Sequence, residues 1–353
     1  MSSYHPRIGY VPYRLDLISP GDIRRFVAYA RARAIKFEIA DYKQKYDFVV
    51  LSEAADITLW QDYPHGKIVY DLIDSYLSIP RTNMRHWLQG TVAFVAGRHQ
   101  RLQLDYWESI ARMCQRSNAV VCATPEQQEL IQAYCQNSHV ILDIHTPLIT
   151  KVKENYDLSR PINLVWEGLP INVEQLLQIS DVLRKVQTQH PQKLNLVTDL
   201  SYPRFMNRFG LVETLKIAKR IFDAVEVHAW NATSLAETIC NFDIAIIPIN
   251  LADSFVAGKP ENKLLLLWRM GLPVVTSATP SYKRAMKNVG TEYLACETQA
   301  EWETALNTMI KDKSVRSQAA LSGKAYAEQY FSEDILLKKW DDVFSSVGFT
   351  TSV

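Results

Sequence analysis

Hydrophobic positions along the chain fall in short, nearly continuous runs, and stretches of helical pattern separate them. Arg7-Ile-Gly-Tyr-Val-Pro12 predicts a first strand, and Ser19-Pro-Gly-Asp22 a turn after it. Asp22 is placed to cap a helix over 23–33, with Phe26, Val27 and Ala30 on one face. Further strands are predicted at 36–40, 46–51, 67–71, 118–122 and 140–143, with a long helical region over about 82–116. Runs that are apolar throughout, rather than alternating, mark strands buried on both faces, as in a parallel sheet covered by helices.

The stretch 146–161 breaks this pattern. It carries Lys151, Lys153, Glu154, Asp157 and Pro161 and predicts a linker. A second series follows, with strands at 162–166, 194–197, 224–228, 243–248 and 273–276, a helix over 173–186 and a mostly helical tail over 300–344. The expected fold class is α/β, with two Rossmann-like doubly wound domains facing a central cleft. The expected boundaries are 1–150, a linker at 151–161, 162–330, and a helix and tail at 331–353 that packs back on the first domain. Such sheets bind ligands at the carboxyl ends of their strands, where the strand order reverses.

Composition narrows the function. The 353 residues include 39 Lys+Arg against 38 Asp+Glu, a balance that argues against a dedicated nucleic-acid binder. The apolar fraction of 47% excludes global disorder. Cys114, Cys122, Cys135, Cys240 and Cys296 are odd in number and lack a CxxC spacing, so buried free thiols in a reducing compartment are expected. The first residues lack the apolar core of a signal peptide, and the longest apolar runs are far too short to span a bilayer. A cytoplasmic protein is expected, with peripheral membrane contact as an addition, and the sequon at Asn231 is then a chance match. None of the 12 glycines forms G-x-G, and P-loop, H-E-x-x-H, G-x-S-x-G and Asp-x-Asp patterns are all missing, so dinucleotide, NTPase and metallohydrolase readings lose ground.

One constellation remains. Lys259-Pro-Glu-Asn-Lys263 opens an apolar helix that stops at Gly271, and Pro273 leads into a buried strand. A helix start after a parallel strand attracts phosphate, and Lys259 and Lys263 add charge. Glu261 and Asn262 offer groups that read sugar hydroxyls. From the residues alone, a solvated helix start with a capping Glu fits as well. Nearer the N-terminus, Gly21 lets the backbone approach a ligand and Arg24 or Arg25 can meet phosphate or acceptor, against a plain turn and solvated helix face. Asp71 and Asp74, at a strand end, can orient an acceptor hydroxyl or cap a loop. Trp230 can stack on a base or pack in the core. Glu167 and Gly168 lie at another strand end, as site groups or as a turn. Arg81, Arg85, Arg98 and Arg101 flank Trp87 and Phe94, a pattern for anionic lipid or for a solvated face.

The segment 259–276 resembles the donor site of GT-B-fold glycosyltransferases of the family 4-like group, whose members carry a Lys-Pro-x-Asn-Lys-like loop, an apolar helix and Gly-x-Pro-Val-Val. Trp230 with Leu235 and Asp243-Ile-Ala-Ile-Ile-Pro248 is similar to that group's W…L…D-(I/V)-x-(I/V)-x-P run, and Val165-Trp-Glu-Gly168 to the opening of its C-terminal domain. Val69-Tyr-Asp-Leu-Ile-Asp-Ser75 and Val120-Val-Cys-Ala-Thr124 resemble its N-domain strands. The resemblance implies transfer of a hexose-like sugar from a nucleotide-diphosphate donor, with retention and without metal or other cofactor, the nucleotide sugar acting as co-substrate. The acceptor would be a glycan, a lipid-linked molecule or a small molecule, in a setting such as polysaccharide biosynthesis. Glu261, Asp71 and Asp74 would be catalytic; Lys259, Asn262, Lys263, Trp230, Glu167 and Gly168 would bind the donor; Gly21, Arg24 and Arg25 would meet acceptor or phosphate. Two departures stand out. The position of a second donor-helix Glu is Leu266, and Gly168-Leu-Pro-Ile-Asn172 lacks the Arg and Lys that hold the diphosphate in many members. The alternatives are a non-catalytic GT-B-like binding or partner subunit and, less well matched, a sugar-nucleotide epimerase or phosphorylase.

Overall fold

The computed structural model describes residues 6–81, 91, 92, 94, 95, 97, 99–203 and 210–349. Arg85, Trp87 and Arg98 lie outside them, as does much of the helical stretch expected over 82–116, of which the helix Tyr106–Arg116 is described. The chain forms two compact units: Met1–Ile144 with Glu333–Val353, and His145–Ser332.

The first unit is built on a six-stranded sheet in the order β2-β1-β3-β4-β5-β6, parallel throughout. The strands are β1 (Ile8–Val11), β2 (Glu38–Ile39), β3 (Phe48–Leu51), β4 (Lys67–Asp71), β5 (Ala119–Cys122) and β6 (Ser138–Val140). Phe-Val-Val-Leu and Ala-Val-Val-Cys are buried at every position, as continuous apolar runs require of central strands. The order reverses between β1 and β3. Thr124 caps the helix Pro125–Gln132 through the Gln127 N–H, and Asp105 caps Tyr106–Arg116 through the Glu108 N–H, so strand and helix starts are specified locally.

The helix expected over 23–33 is two pieces, Pro20–Ile23 and Phe26–Ala32. The break falls at Arg25, whose backbone (φ −128°, ψ −120°) leaves the helical region. Its guanidinium reaches across the sheet instead, an interaction that local periodicity does not contain. The last strand begins two residues earlier than expected, at Ser138. The helix Glu333–Ser346 completes this unit. Trp340 and Phe344 are fully buried, and both stack on Tyr29, at 5.7 and 5.3 Å between ring centres. Asp341 accepts hydrogen bonds from Arg33 and from the Tyr29 hydroxyl.

In the second unit the sheet runs β11-β8-β7-β12-β13-β14, again all parallel. Its strands are β7 (Ile162–Glu167), β8 (Gln192–Thr198), β11 (Val225–Ala229), β12 (Ile244–Ile247), β13 (Val274–Ser277) and β14 (Ala295–Cys296). The order reverses between β7 and β12, so the carboxyl end of β7 is where a ligand is expected. A two-stranded antiparallel ribbon, β9 (Ser201–Pro203) with β10 (Leu211–Glu213), is an addition that the hydrophobic pattern does not predict. The helix expected over 173–186 is a 3₁₀ segment, Pro170–Ile179, followed by an α-helix, Ser180–Gln187. Val173, Leu176 and Ile179 are buried at a spacing of three, the repeat of a 3₁₀ turn.

The apolar helix forms as expected, over Asn262–Arg269, and Gly271 ends it at φ +74°. A side chain there would also meet the Lys153 carbonyl at 2.7 Å, so only glycine fits. Asp243 braces the linker to the sheet, accepting from the backbone N–H groups of Ser159 and Asn163.

The architecture is thus mixed α/β with two parallel six-stranded sheets, two Rossmann-like domains. Among the described residues, no helix is long and apolar enough to cross a membrane.

Candidate active site

In the second unit, the carboxyl end of β7 and the start of the helix Asn262–Arg269 bring several expected residues together. Gly168 follows β7. A methyl group at its Cα would fall 2.6 Å from the Lys263 ammonium and 3.0 Å from the Trp166 ring, so glycine leaves the notch that Lys263 fills. The ammonium rests over the Trp166 ring, 4.8 Å from its centre. Beside them Glu167, 7% exposed, accepts a hydrogen bond from the Trp230 indole N–H at 3.0 Å. Glu261, 5% exposed, sits immediately before the helix, with Arg284 at 3.9 Å. It does not cap the helix through its side chain. Burial pushes the Tyr282 hydroxyl pKa up, and the carboxylates of Glu261 and Glu167 push it the same way, so both lie close to this buried ring.

Lys259 takes part through its backbone: its carbonyl accepts from the Ser281 hydroxyl at 2.7 Å and ties the loop to the next helix. Asn262 is the first residue of the helix, half-buried. A lysine ammonium at a helix start, with buried carboxylates and two indoles around it, can hold an anionic diphosphate and the hydroxyl-rich groups on either side of it. Gly168→Ala is expected to lift the ammonium off the Trp166 face. Nucleoside diphosphate binding, measured by calorimetry, should weaken a few-fold, with the melting midpoint within about 2 °C of the parent.

The first unit treats its expected residues differently. Arg25, 1% exposed, donates from Nε and Nη2 to both Asp71 oxygens, at 2.7 and 2.6 Å, and from Nη1 to the Ile141 carbonyl and Asp143. Arg25 and Asp71 therefore saturate each other inside the domain and brace β4 to the segment after β6. Where the sequence suggests a phosphate- or acceptor-facing arginine and a hydroxyl-orienting aspartate, the structure has the two side chains facing each other, both buried. Gly21 is likewise occupied: a side chain there would meet the Tyr13 ring at 2.5 Å, so the close approach it permits is to Tyr13, not to a ligand. Arg24 is half-buried, and its backbone carbonyl accepts from the Ile144 N–H. Asp22, expected as a helix cap, instead orders the loop after β1, accepting from the Tyr10 hydroxyl and the Tyr13 and Arg14 N–H groups.

Asp74 lies beside a group that sequence reasoning missed. Glu53, two residues past β3, accepts from the Asp74 N–H at 3.2 Å, with the Tyr13 hydroxyl at 3.5 Å. Its only sequence signal is a carboxylate just after a wholly apolar strand. Burial pushes the Glu53 carboxyl well above the usual range, and the charges of Asp74 and Asp71 add to this. A carboxyl whose folded pKa is raised binds its proton more tightly when folded. Stability therefore falls as pH rises through the ordinary carboxyl range and on up to the raised value, then levels off. Glu53→Gln should remove that slope: its melting midpoint should match the parent near pH 4 and exceed it at pH 7.5.

The five cysteines are free and buried. Among the described residues, no three His, Cys, Asp or Glu side chains are grouped to hold a metal ion.

No known family model matches this chain, and no curated protein matches it in sequence. Solved structures do match in fold. The chain superimposes on TarM with a TM-score of 0.56 at 10% identity, covering 84% of this chain and 54% of that one. Against sucrose-phosphate synthase of Thermosynechococcus elongatus the values are 0.57 and 12%, over 86% and 74% of the two chains. Against a Listeria monocytogenes protein assigned as a UDP-N-acetylglucosamine 2-epimerase they are 0.55 and 9%, over 97% and 96%. The chain thus spans about half the length of TarM. Identities this low speak for fold alone. These neighbours are GT-B proteins, and the two parallel Rossmann-like sheets described above give this chain the GT-B fold.

Proposed function

We propose that the protein is a glycosyltransferase that moves a sugar from a nucleoside diphosphate to an acceptor hydroxyl, without a metal ion and with retention of anomeric configuration. The observation that carries this reading is the Lys263 ammonium, seated on Trp166 in the notch left by Gly168 at the reversal point of the second sheet. In the reaction, the bond between the sugar's anomeric carbon and the diphosphate breaks, and charge builds on the leaving oxygen. Lys263 and the positive end of the helix dipole stabilise that charge. The acceptor oxygen bonds to the anomeric carbon and its proton leaves with the departing phosphate. Glu261 and Asn262 accept and donate hydrogen bonds to the sugar hydroxyls, and Lys259 adds positive charge to the same loop. In the first unit, Asp74, with Glu53, is the group left to face an acceptor hydroxyl.

A panel of nucleotide sugars tests this. At least one is expected to raise the melting midpoint, since a ligand that binds only the folded state stabilises it, and to be turned over with excess chelator present. Loss of turnover on chelation, restored by magnesium, would overturn the metal-free phosphate site. A second reading, a sugar-nucleotide epimerase, is favoured by one observation: the match to the Listeria protein spans nearly all of both chains, whereas TarM is much longer. Recovery of an epimerised nucleotide sugar without any acceptor would select it.

A further inference from the structure

We propose that the second unit docks on an anionic lipid bilayer through the ribbon of β9 and β10 and the exposed side of the helix Thr214–Ile221.

The ribbon lies outside the six-stranded sheet and has only three residue pairs. Two strands of that length are marginal on their own, so pairing alone does not account for them. Leu211 stands opposite Pro203, where the strands lead into residues 204–209, and both are exposed, Leu211 at 70%. Leu200 and Leu215, on either side of the ribbon in the chain, are exposed as well. The Thr214 N–H donates to the Leu200 carbonyl and holds these two segments together. Apolar side chains grouped and exposed in this way mark a surface that something covers.

Charge identifies the cover. Over 199–220 the sequence has five Lys and Arg against two Asp and Glu, an excess of three in a chain whose net charge is +1. Among the described residues, Lys216, Lys219 and Arg220 form no ion pair, whereas Arg184, Lys185 and Lys193 of the same unit each meet a carboxylate. Lys216 and Arg220, one helical turn apart, line the same open hollow of about 510 Å³ as Tyr202, Leu211 and Val212. Glu174 and Glu213 share that hollow. The excess therefore comes from Lys219 on the same helix and from the chain between the strands, whose sequence is Arg204-Phe-Met-Asn-Arg-Phe209.

Exposed leucines beside unpaired cations match the boundary of a bilayer with anionic headgroups. The leucines enter the edge of the acyl region and the cations meet the phosphates. A second copy of this chain would set the same positive charge against itself, which opposes self-docking.

The test is co-sedimentation of the full chain with vesicles of phosphatidylcholine alone and of equal parts phosphatidylcholine and phosphatidylglycerol. The parent is expected to partition about tenfold more strongly onto the mixed vesicles, and to lose most of that preference at high salt. Lys216→Glu with Arg220→Glu should lower binding to the mixed vesicles about tenfold, and Leu211→Ser about fivefold. These side chains are on the surface, so the melting midpoint should stay with the parent's, and Leu211→Ser serves if the charge variant fails to fold. No binding to the mixed vesicles, equal binding to both kinds, or binding that neither variant lowers overturns the proposal. Self-association of the parent that Leu211→Ser abolishes overturns it too, and assigns the surface to a second copy. Each of these failures leaves the donor reading standing, since nucleotide-sugar binding tests that separately.

Discussion

Lys263→Ala lowers nucleoside diphosphate affinity and sugar turnover by one to two powers of ten, while the melting midpoint stays close to that of the parent. The size follows from removing a charge-assisted contact to phosphate in a partly dry site, worth about 1.5–3 kcal/mol. The small stability effect follows from what the side chain does in the folded protein. It is half-buried and rests on the Trp166 ring, a contact worth about 0.5–1 kcal/mol where water still reaches it. If Lys263 only stacked on that ring and solvated the helix start, the midpoint would move by the same small amount and affinity would hold within about twofold. Titration of a nucleoside diphosphate and a thermal melt on the same variant separate the cases. Lys263→Arg sharpens the comparison: it keeps the charge, but its larger planar head does not fit the notch beside Gly168, so partial loss is expected.

The second large effect concerns stability. Asp71→Ala leaves the Arg25 guanidinium buried without its bidentate partner and should cost about 3–5 kcal/mol. Asp143, 3.2 Å from Nη1, keeps the cost toward the lower end. A loss of that size is a large part of a typical domain's stability and should show as an earlier urea midpoint. Replacing both partners, as Arg25→Met with Asp71→Leu, should recover most of it, because no buried charge is then left alone. If Asp71 instead worked directly on the acceptor, Asp71→Asn would stay nearly as stable and lose turnover.

These two sites show what could and could not be read from the chain. The strands were legible because full burial leaves a local trace: Phe48–Leu51 and Ile244–Ile247 are apolar at every position. The stop at Gly271 was legible for the same reason, since a left-handed residue there needs glycine. The break at Arg25 was not, because it is driven by a partner 46 positions away. The ribbon Ser201–Pro203 with Leu211–Glu213 was hidden by its brevity, three residues a side being too few for an alternation to register. At the candidate site, the residue types of the Lys259–Lys263 loop stood out, but the seating of Lys263 on Trp166 joins positions nearly a hundred apart. Glu53 went unnoticed because a lone carboxylate after a strand usually marks only a turn. Its surroundings, Tyr13 and Asp74, come from the loops that follow two other strands, β1 and β4.

The helix Glu333–Ser346 belongs to the unit that the chain begins, not to the one it has just left. During synthesis, the aromatic bed formed by Phe26 and Tyr29 emerges ahead of the second unit and stays without Trp340 and Phe344 until that unit has been made. The whole of His145–Ser332 is out of the ribosome before then and has every strand of its own sheet. The unit begun first is therefore completed after the one begun second, so a chain released after residue 332 would carry a finished second domain and an open, sticky first one, a ready target for chaperones and proteases.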